Sequence, residues 1–334
     1  MEAELVFNDL SITTAPSEEI ARKWLTDMME AVADLIDEEI NGKPICNRAI
    51  RTNRDFYDID LTEDYGYIEW LEDAQVDQVL QRLAHQLDAR SPVEQDLKTE
   101  VKAYDEFLGS EFVLKQTPKI EATALGVALL HDGIAISLAS EPRWCQSKIE
   151  IVQKLYEEAD AEKPHKINHK VRQVSHPDQV DFAIRDWQHS LSQKIKNVSE
   201  LIEQWETVFS HLDWCEEYEQ KMLPHLPNKK TLESVLHRLW QLDEVCHHWD
   251  TENDATPIYP MNVRPESRQT MKNKRLKEMR QATCPHHPKK QVFEWHCNIQ
   301  PEGYRLYWLV NKDLCRMTIC YIGPHLETIN LKGQ

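Results

Sequence analysis

Three short runs near the C-terminus constrain this chain more than anything that precedes them. VFEWHCNI (292–299), YRLYWLV (304–310) and MTICYIG (317–323) combine β-branched and aromatic residues with period-two alternation, and only PEG and NKDLCR separate them. Runs this close together are expected to pair as antiparallel strands, the arrangement that short turns allow. Alternation sets Phe293, Trp295, Cys297 and Ile299 on one face of the first strand, and Glu294, His296 and Asn298 on the other. In the second strand it separates Tyr304, Leu306, Trp308 and Val310 from Arg305, Tyr307 and Leu309. One face is a core face, and the other collects a glutamate, a histidine, an arginine and a tyrosine. The ordinary reading of such a face is a solvated one; the chemical reading is a site.

What precedes these strands adds weight to the polar face. The chain is acidic, with 57 Asp and Glu against 39 Lys and Arg and a net charge of −18, which argues against a general nucleic-acid coat. Yet residues 262–290 carry nine bases (Arg264, Arg268, Lys272, Lys274, Arg275, Lys277, Arg280, Lys289 and Lys290) against Glu266 and Glu278. Residues 55–77 are the reverse, with nine acids and no Lys or Arg. A base-rich segment leading straight into a His/Arg face is a candidate nucleic-acid contact. With Pro265, Pro285 and Pro288 in it and few apolar residues to offset ordering entropy, it is expected to be mobile in the free protein.

At 334 residues the chain is long for a single core. The expected organisation is an α+β domain over residues 1–178, a connecting helix over 179–206 and a second α+β domain over 207–334. In the first domain Ser17 before Glu18 and Glu19 reads as a helix start, FYDIDL (56–61) as a strand, and ATALGVALL (122–130) as either a helix or a buried strand. Residues 148–157 and 166–174 alternate well enough for a hairpin. The connector carries Val180, Ile184, Trp187, Leu191, Ile195, Val198 and Ile202 at helical spacing. No phosphate loop, G-x-G-x-x-G, G-x-S-x-G or H-E-x-x-H occurs. His131-Asp132 before Gly133 reads as a turn, and Arg51, Arg54, Asp55 and Asp58 as a surface ion-pair cluster. No apolar run approaches the roughly 20 residues a bilayer requires, and the N-terminus carries acids where a signal peptide needs bases. A cytoplasmic protein without a membrane partner is expected, its eight cysteines reduced.

From residue 207 onward the order is strand, two helices, basic segment and three antiparallel strands. That order, together with YRLYWLVNKDLCRMTICYIGPH, resembles the RelE-type bacterial toxins over about residues 207–330. The chain as a whole also resembles long uncharacterised bacterial proteins linked to phage defence. The first resemblance implies a RelE-like domain that cuts messenger RNA without metal, using side chains on the concave face of its sheet. It carries over to Arg305, in the penultimate strand, and His325, after the last. His296 and Glu294 join them from the strand pattern, and Tyr307 as a residue type such sites use. The implied chemistry needs a base for the RNA 2′-hydroxyl, an acid for the leaving oxygen and a cation for the phosphate, roles that histidine and arginine suit.

A competing constellation is Cys284, His286 and His287 with His296 and Cys297, the right ligand types for zinc. No C-x-x-C knuckle is present, however, and His296 and Cys297 point to opposite faces of one strand. No metal or other cofactor is therefore assigned. Two function classes remain open: a metal-independent enzyme acting on nucleic acid, RNA in preference, and a non-catalytic adaptor that binds a partner protein of a bacterial defence complex.

Overall fold

The computed structural model describes residues 2–40, 42–91, 100–156, 164–226, 228–253, 256–300 and 303–329. The chain divides into two compact units, residues 1–187 and 188–334. Both mix helices with β-structure, as the α+β expectation requires.

In the first unit β1 (Ala3–Phe7), β2 (Cys46–Arg51), β3 (Asp88–Arg90), β4 (Ser110–Leu114), β5 (Ile134–Ile136), β6 (Lys148–Leu155) and β7 (His165–Val174) form a seven-stranded sheet. Its order is β3-β2-β1-β5-β7-β6-β4. The neighbours from β3 to β7 run parallel, and β6 and β4 continue the sheet antiparallel. Parallel strands need both faces covered, and every residue of Leu5, Val6, Phe7 and of Ile134, Ala135, Ile136 is buried. The first crossover contains α1 (Glu18–Asp37), which begins where the Ser17 hydroxyl accepts the Ile20 N–H at 3.3 Å. ATALGVALL resolves as a helix, α2 (Thr123–Leu130). FYDIDL does not form a strand: Phe56–Asp58 is a 3-10 turn, because the Asp55 carboxylate accepts the Tyr57 N–H at 3.1 Å and so takes a backbone donor that a ladder would use. The expected hairpin pairs from Lys148 with Arg172 to Leu155 with His165, its connection falling outside the described residues.

The span expected to be one helix over 179–206 is two, α3 (Val180–Lys194) and α4 (Val198–Val208). Asn197 is the reason: its side chain accepts the Glu200 N–H at 3.0 Å and starts a new helix.

The second unit contains β8 (Leu212–Trp214), α5 (Lys229–His247), β9 (Val263–Arg264), β10 (Trp295–Ile299), β11 (Tyr304–Asn311) and β12 (Arg316–Pro324). Its sheet order is β8-β12-β11-β10-β9, with β8 parallel to β12 and the other pairs antiparallel. Asn228 caps α5, which buries Leu232, Val235, Leu239 and Leu242 and packs on β10 and β12. The strands carrying the sequence signal are therefore present, with two corrections. Tyr307 faces Tyr321 whereas Trp308 faces Ile319, so Cys320 is an extra residue in a bulge. The first run also breaks after Val292, which with Gln291 pairs to Gln281–Ala282 instead of joining β10. That break moves Phe293 off the Cys297 face and into a core with Tyr307, Cys215, Cys284 and Cys320.

The base-rich segment is folded, contrary to the expectation of mobility. Besides β9 it forms two short helices, Arg268–Lys272 and Lys274–Glu278, started by Ser267 and Asn273. It buries Thr270, Leu276, Ala282 and Cys284. Two of them, Ala282 and Cys284, join the core around Tyr307 and Phe293.

A candidate phosphate-binding face

The polar face of the second sheet is two places. Cross-strand register aligns Arg264, His296, Tyr307 and Tyr321 in one row, and Asn298, Arg305 and Gly323 in the next. Half of this face is covered. Arg280 is completely buried, and its guanidinium donates to Glu266 at 2.7 Å, to the Leu276 carbonyl at 3.0 Å and to the Glu327 carbonyl at 2.9 Å. The same Glu266 oxygen accepts the Tyr307 hydroxyl at 2.8 Å. Burial pushes the Glu266 carboxyl up, but Tyr307 and Arg280 more than reverse this and leave it below the ordinary value. Burial and the adjacent Glu266 together push the Tyr307 phenol far above its ordinary value. A hydroxyl committed in this way, on a side chain with no exposure, cannot exchange protons with a substrate. Tyr307 thus leaves the catalytic set, and Arg280 leaves the set of phosphate contacts.

The other half is open. His296 and His325 lie with ring centroids 6.3 Å apart, and His296 lies tilted against Tyr307 with centroids 4.7 Å apart. The His296 Nδ1 is 3.2 Å from the Glu294 carbonyl, and the His325 Nδ1 is 2.6 Å from the Leu326 carbonyl. A carbonyl can only accept, so each Nδ1 carries a proton and each ring leaves Nε2 for a ligand. His325 is further held by its own N–H, which donates to the Gly303 carbonyl at 2.7 Å. Burial, reinforced by the charges of His325 and Arg305, lowers the pKa of His296 against the opposing pull of the Glu294 carbonyl and Glu266. His296 is therefore neutral at physiological pH.

Arg305 completes the group. Its terminal nitrogen donates to the Tyr304 carbonyl at 2.8 Å, its Nε is buried without a partner, and it makes no ion pair with a carboxylate among the described residues. Arg264 donates to Asn262 at 3.2 Å and likewise has no carboxylate partner among them. Glu294 sits outside the strand alternation: its carbonyl accepts the Glu266 N–H at 3.1 Å and the His296 Nδ1, and its side chain is exposed.

Of the nine bases, all but Arg280 are exposed. Arg275 pairs with Glu327 and Lys290 with Glu217, whereas Arg268, Lys272, Lys274, Lys277 and Lys289 have no carboxylate partner among the described residues. The zinc candidates do not converge: Cys284 is buried in the core, and His286 reaches Asp213 at 3.1 Å. Among the described residues no group of three potential ligands could hold a metal ion. Residue-by-residue reading missed Glu266, although a signal was present. It is one of two acids in a run of nine bases, and an isolated acid there is a ready internal partner for one of them.

No protein-family model, curated protein or solved structure matches the chain.

Proposed function

We propose that the open half of this face binds the phosphodiester backbone of RNA and cleaves it without metal. The observation that carries the reading is Arg305, a partly buried guanidinium with no carboxylate partner among the described residues, beside two imidazoles that both present Nε2. Unpaired buried charge costs stability, and an anion is its natural complement. With a hydrogen-bond reach of about 2.6–3.2 Å on each side, rings 6.3 Å apart can address two oxygens of one phosphate. The neutral His296 takes the 2′-hydroxyl proton, and the 2′-oxygen attacks phosphorus. The bond from phosphorus to the 5′-oxygen breaks, and protonated His325 gives that oxygen its proton. A 2′,3′-cyclic phosphate and a 5′-hydroxyl result. Arg305 and Arg264 hold the non-bridging oxygens, and the exposed bases of the preceding segment supply backbone attraction.

The order of a strand, helices and an antiparallel sheet supports the RelE-like reading of residues 207–330. All eight cysteines are free thiols, which suits a cytoplasmic role, and no described helix is long and apolar enough to cross a membrane. A place in antiviral defence is proposed only from the resemblance, at the level of sequence, to long uncharacterised bacterial proteins linked to phage defence.

The test is incubation of purified protein with end-labelled RNA and DNA, with and without EDTA. Cleavage of RNA but not DNA, unaffected by EDTA and lost in both His296→Ala and His325→Ala, is the expected result. Binding without cleavage would replace the enzyme by an adaptor that holds nucleic acid. Failure to bind either polymer would leave the face to a partner protein.

A further inference from the structure

A cavity in the first unit, far in sequence from the imidazole pair, is walled by residues with unpartnered donors. Where β4 ends against β6, this cavity of about 160 Å³ is lined by Leu114, Arg143, Trp144, Ile149 and Lys170 among others. Two of these residues have N–H donors without acceptors. Trp144 is 1% exposed and its indole N–H is buried with no partner. The Arg143 side chain stacks on that indole, its guanidinium carbon 4.7 Å from the ring centre, and its Nε is also buried and unpartnered. Arg143 spends its far end on Glu141 at 2.6 Å, which leaves the Nε edge uncommitted.

The other charges around the cavity sort in the same way. Lys148 is held by Asp186 at 2.5 Å and Glu150 by Lys115 at 3.1 Å, whereas exposed Lys170 has no ion pair among the described residues. The only carboxylate in the lining is thus already neutralised, and beside Arg143, Trp144 and Lys170 stand the amides of Gln116 and Gln146, each of which can turn its NH2 toward an anion. Buried donors are almost always paired in folded proteins, so two orphan donors on adjacent residues of one cavity wall mark a missing acceptor. We infer that this cavity binds a small oxyanion, with oxygen on Arg143, Trp144 and Lys170 and any apolar portion on Leu114 and Ile149. At about 30 Å³ per water, the volume fits orthophosphate or a small phosphorylated or carboxylated molecule, and excludes a polymer.

The experiment titrates the full chain with orthophosphate, sulfate and malonate by calorimetry. In parallel, the indole N–H of Trp144 is followed by NMR and assigned from Trp144→Phe. Binding of at least one oxyanion with a shift of that indole signal is expected, together with a loss of about tenfold or more in Arg143→Gln and a smaller loss in Lys170→Gln. Circular dichroism and thermal melts confirm that both variants fold; Lys170→Gln, a change at an exposed side chain, keeps the test decisive if Arg143→Gln does not. No heat and no indole shift with any of the three anions would overturn the inference. So would binding that neither variant weakens.

Discussion

Two halves of one sheet face, a few ångströms apart, handle charge in opposite ways. Around Tyr307 the ions are buried and paired: Arg280 meets Glu266, Glu266 takes the tyrosine hydroxyl, and backbone carbonyls take further guanidinium donors. Around His296 the cations lack carboxylate partners among the described residues, and each imidazole is held through Nδ1 with Nε2 left for a ligand. The halves share strands, register and residue types, so neither alternation nor composition distinguishes them. Pairing does. A cation paired with a carboxylate inside the protein serves folding, and one without such a partner at a partly open position is available to a ligand, whereas an unpartnered Nε alone decides nothing, since Arg280 and Arg305 both have one.

The largest effect that can break this division is on catalysis. If the open half is the reactive one, His296→Ala and His325→Ala should each lower the RNA cleavage rate by about 10²–10⁴-fold, the usual worth of a general acid or base. Tyr307→Phe, one position across the ladder from His296, should leave the rate within a few-fold. Single-turnover cleavage of one labelled oligonucleotide measures all three. Equal losses at Tyr307 and His296 would erase the boundary between the halves.

The covered half should answer in stability instead. Arg280→Ala strands a buried carboxylate and is expected to cost about 3–5 kcal/mol. Tyr307→Phe, which removes one hydrogen bond to a charged group, should cost about 1.5–3 kcal/mol. Urea unfolding monitored by tryptophan fluorescence reads both, and a shift in either variant too small to resolve would mean that the pair is not the anchor of the segment.

Acid should separate the halves by pH. Glu266 titrates below the ordinary carboxylate value of about 4.3, so its contribution is complete above that pH and is lost as pH falls through its lower folded value. His296 titrates below the ordinary imidazole value of about 6.5. Between the folded and unfolded values only the unfolded state binds the proton, so stability also falls as pH drops, but in this earlier window. Two successive losses are expected on acidification, the upper abolished in His296→Gln and the lower reduced in Glu266→Gln. Unfolding midpoints measured from pH 8 down to about pH 3.5 span the carboxylate and imidazole ranges and check the order.

How much of this could be read beforehand depended on which interactions are local. The last three strands of the second sheet were legible because β-branched and aromatic alternation reports a half-buried strand wherever it occurs, whereas β9 lay hidden in the basic run. Arg305 and His296 could be placed on one face by the same alternation, whereas His325 was singled out by the resemblance to the RelE-type toxins. The covering of Tyr307 was not legible, since alternation tells which face a side chain takes but not what packs against it. A run of nine bases conceals the four small or apolar residues, Thr270, Leu276, Ala282 and Cys284, that fasten it down. The break after Val292 was hidden because the Glu294 carbonyl is claimed by Glu266, 28 positions earlier. In the first unit the strands β2 and β3 escaped notice for a related reason: CNRAIR and DAR carry little apolar alternation and pair only through a long-range parallel ladder.

The smallest expected effect sharpens the comparison most. Arg305 has no carboxylate to lose and a buried Nε that no group accepts, so its charge should contribute nothing to folding. Arg305→Gln is expected to change stability by no more than about 0.5 kcal/mol in either direction, as at positions that anchor no network. Trading an unpaired buried charge for a neutral amide makes a small gain more natural than a loss. The same substitution removes a positive neighbour from His296, whose titration Arg305 now lowers, so the imidazole should titrate at higher pH in the variant. RNA or phosphate affinity should fall meanwhile by about tenfold, the worth of one charge-assisted contact. Imidazole NMR titration, urea unfolding and a binding isotherm on the same variant give the three readings. A large stability loss with unchanged binding would show that the guanidinium serves the fold after all, and that the open half is only a less tidy version of the covered one.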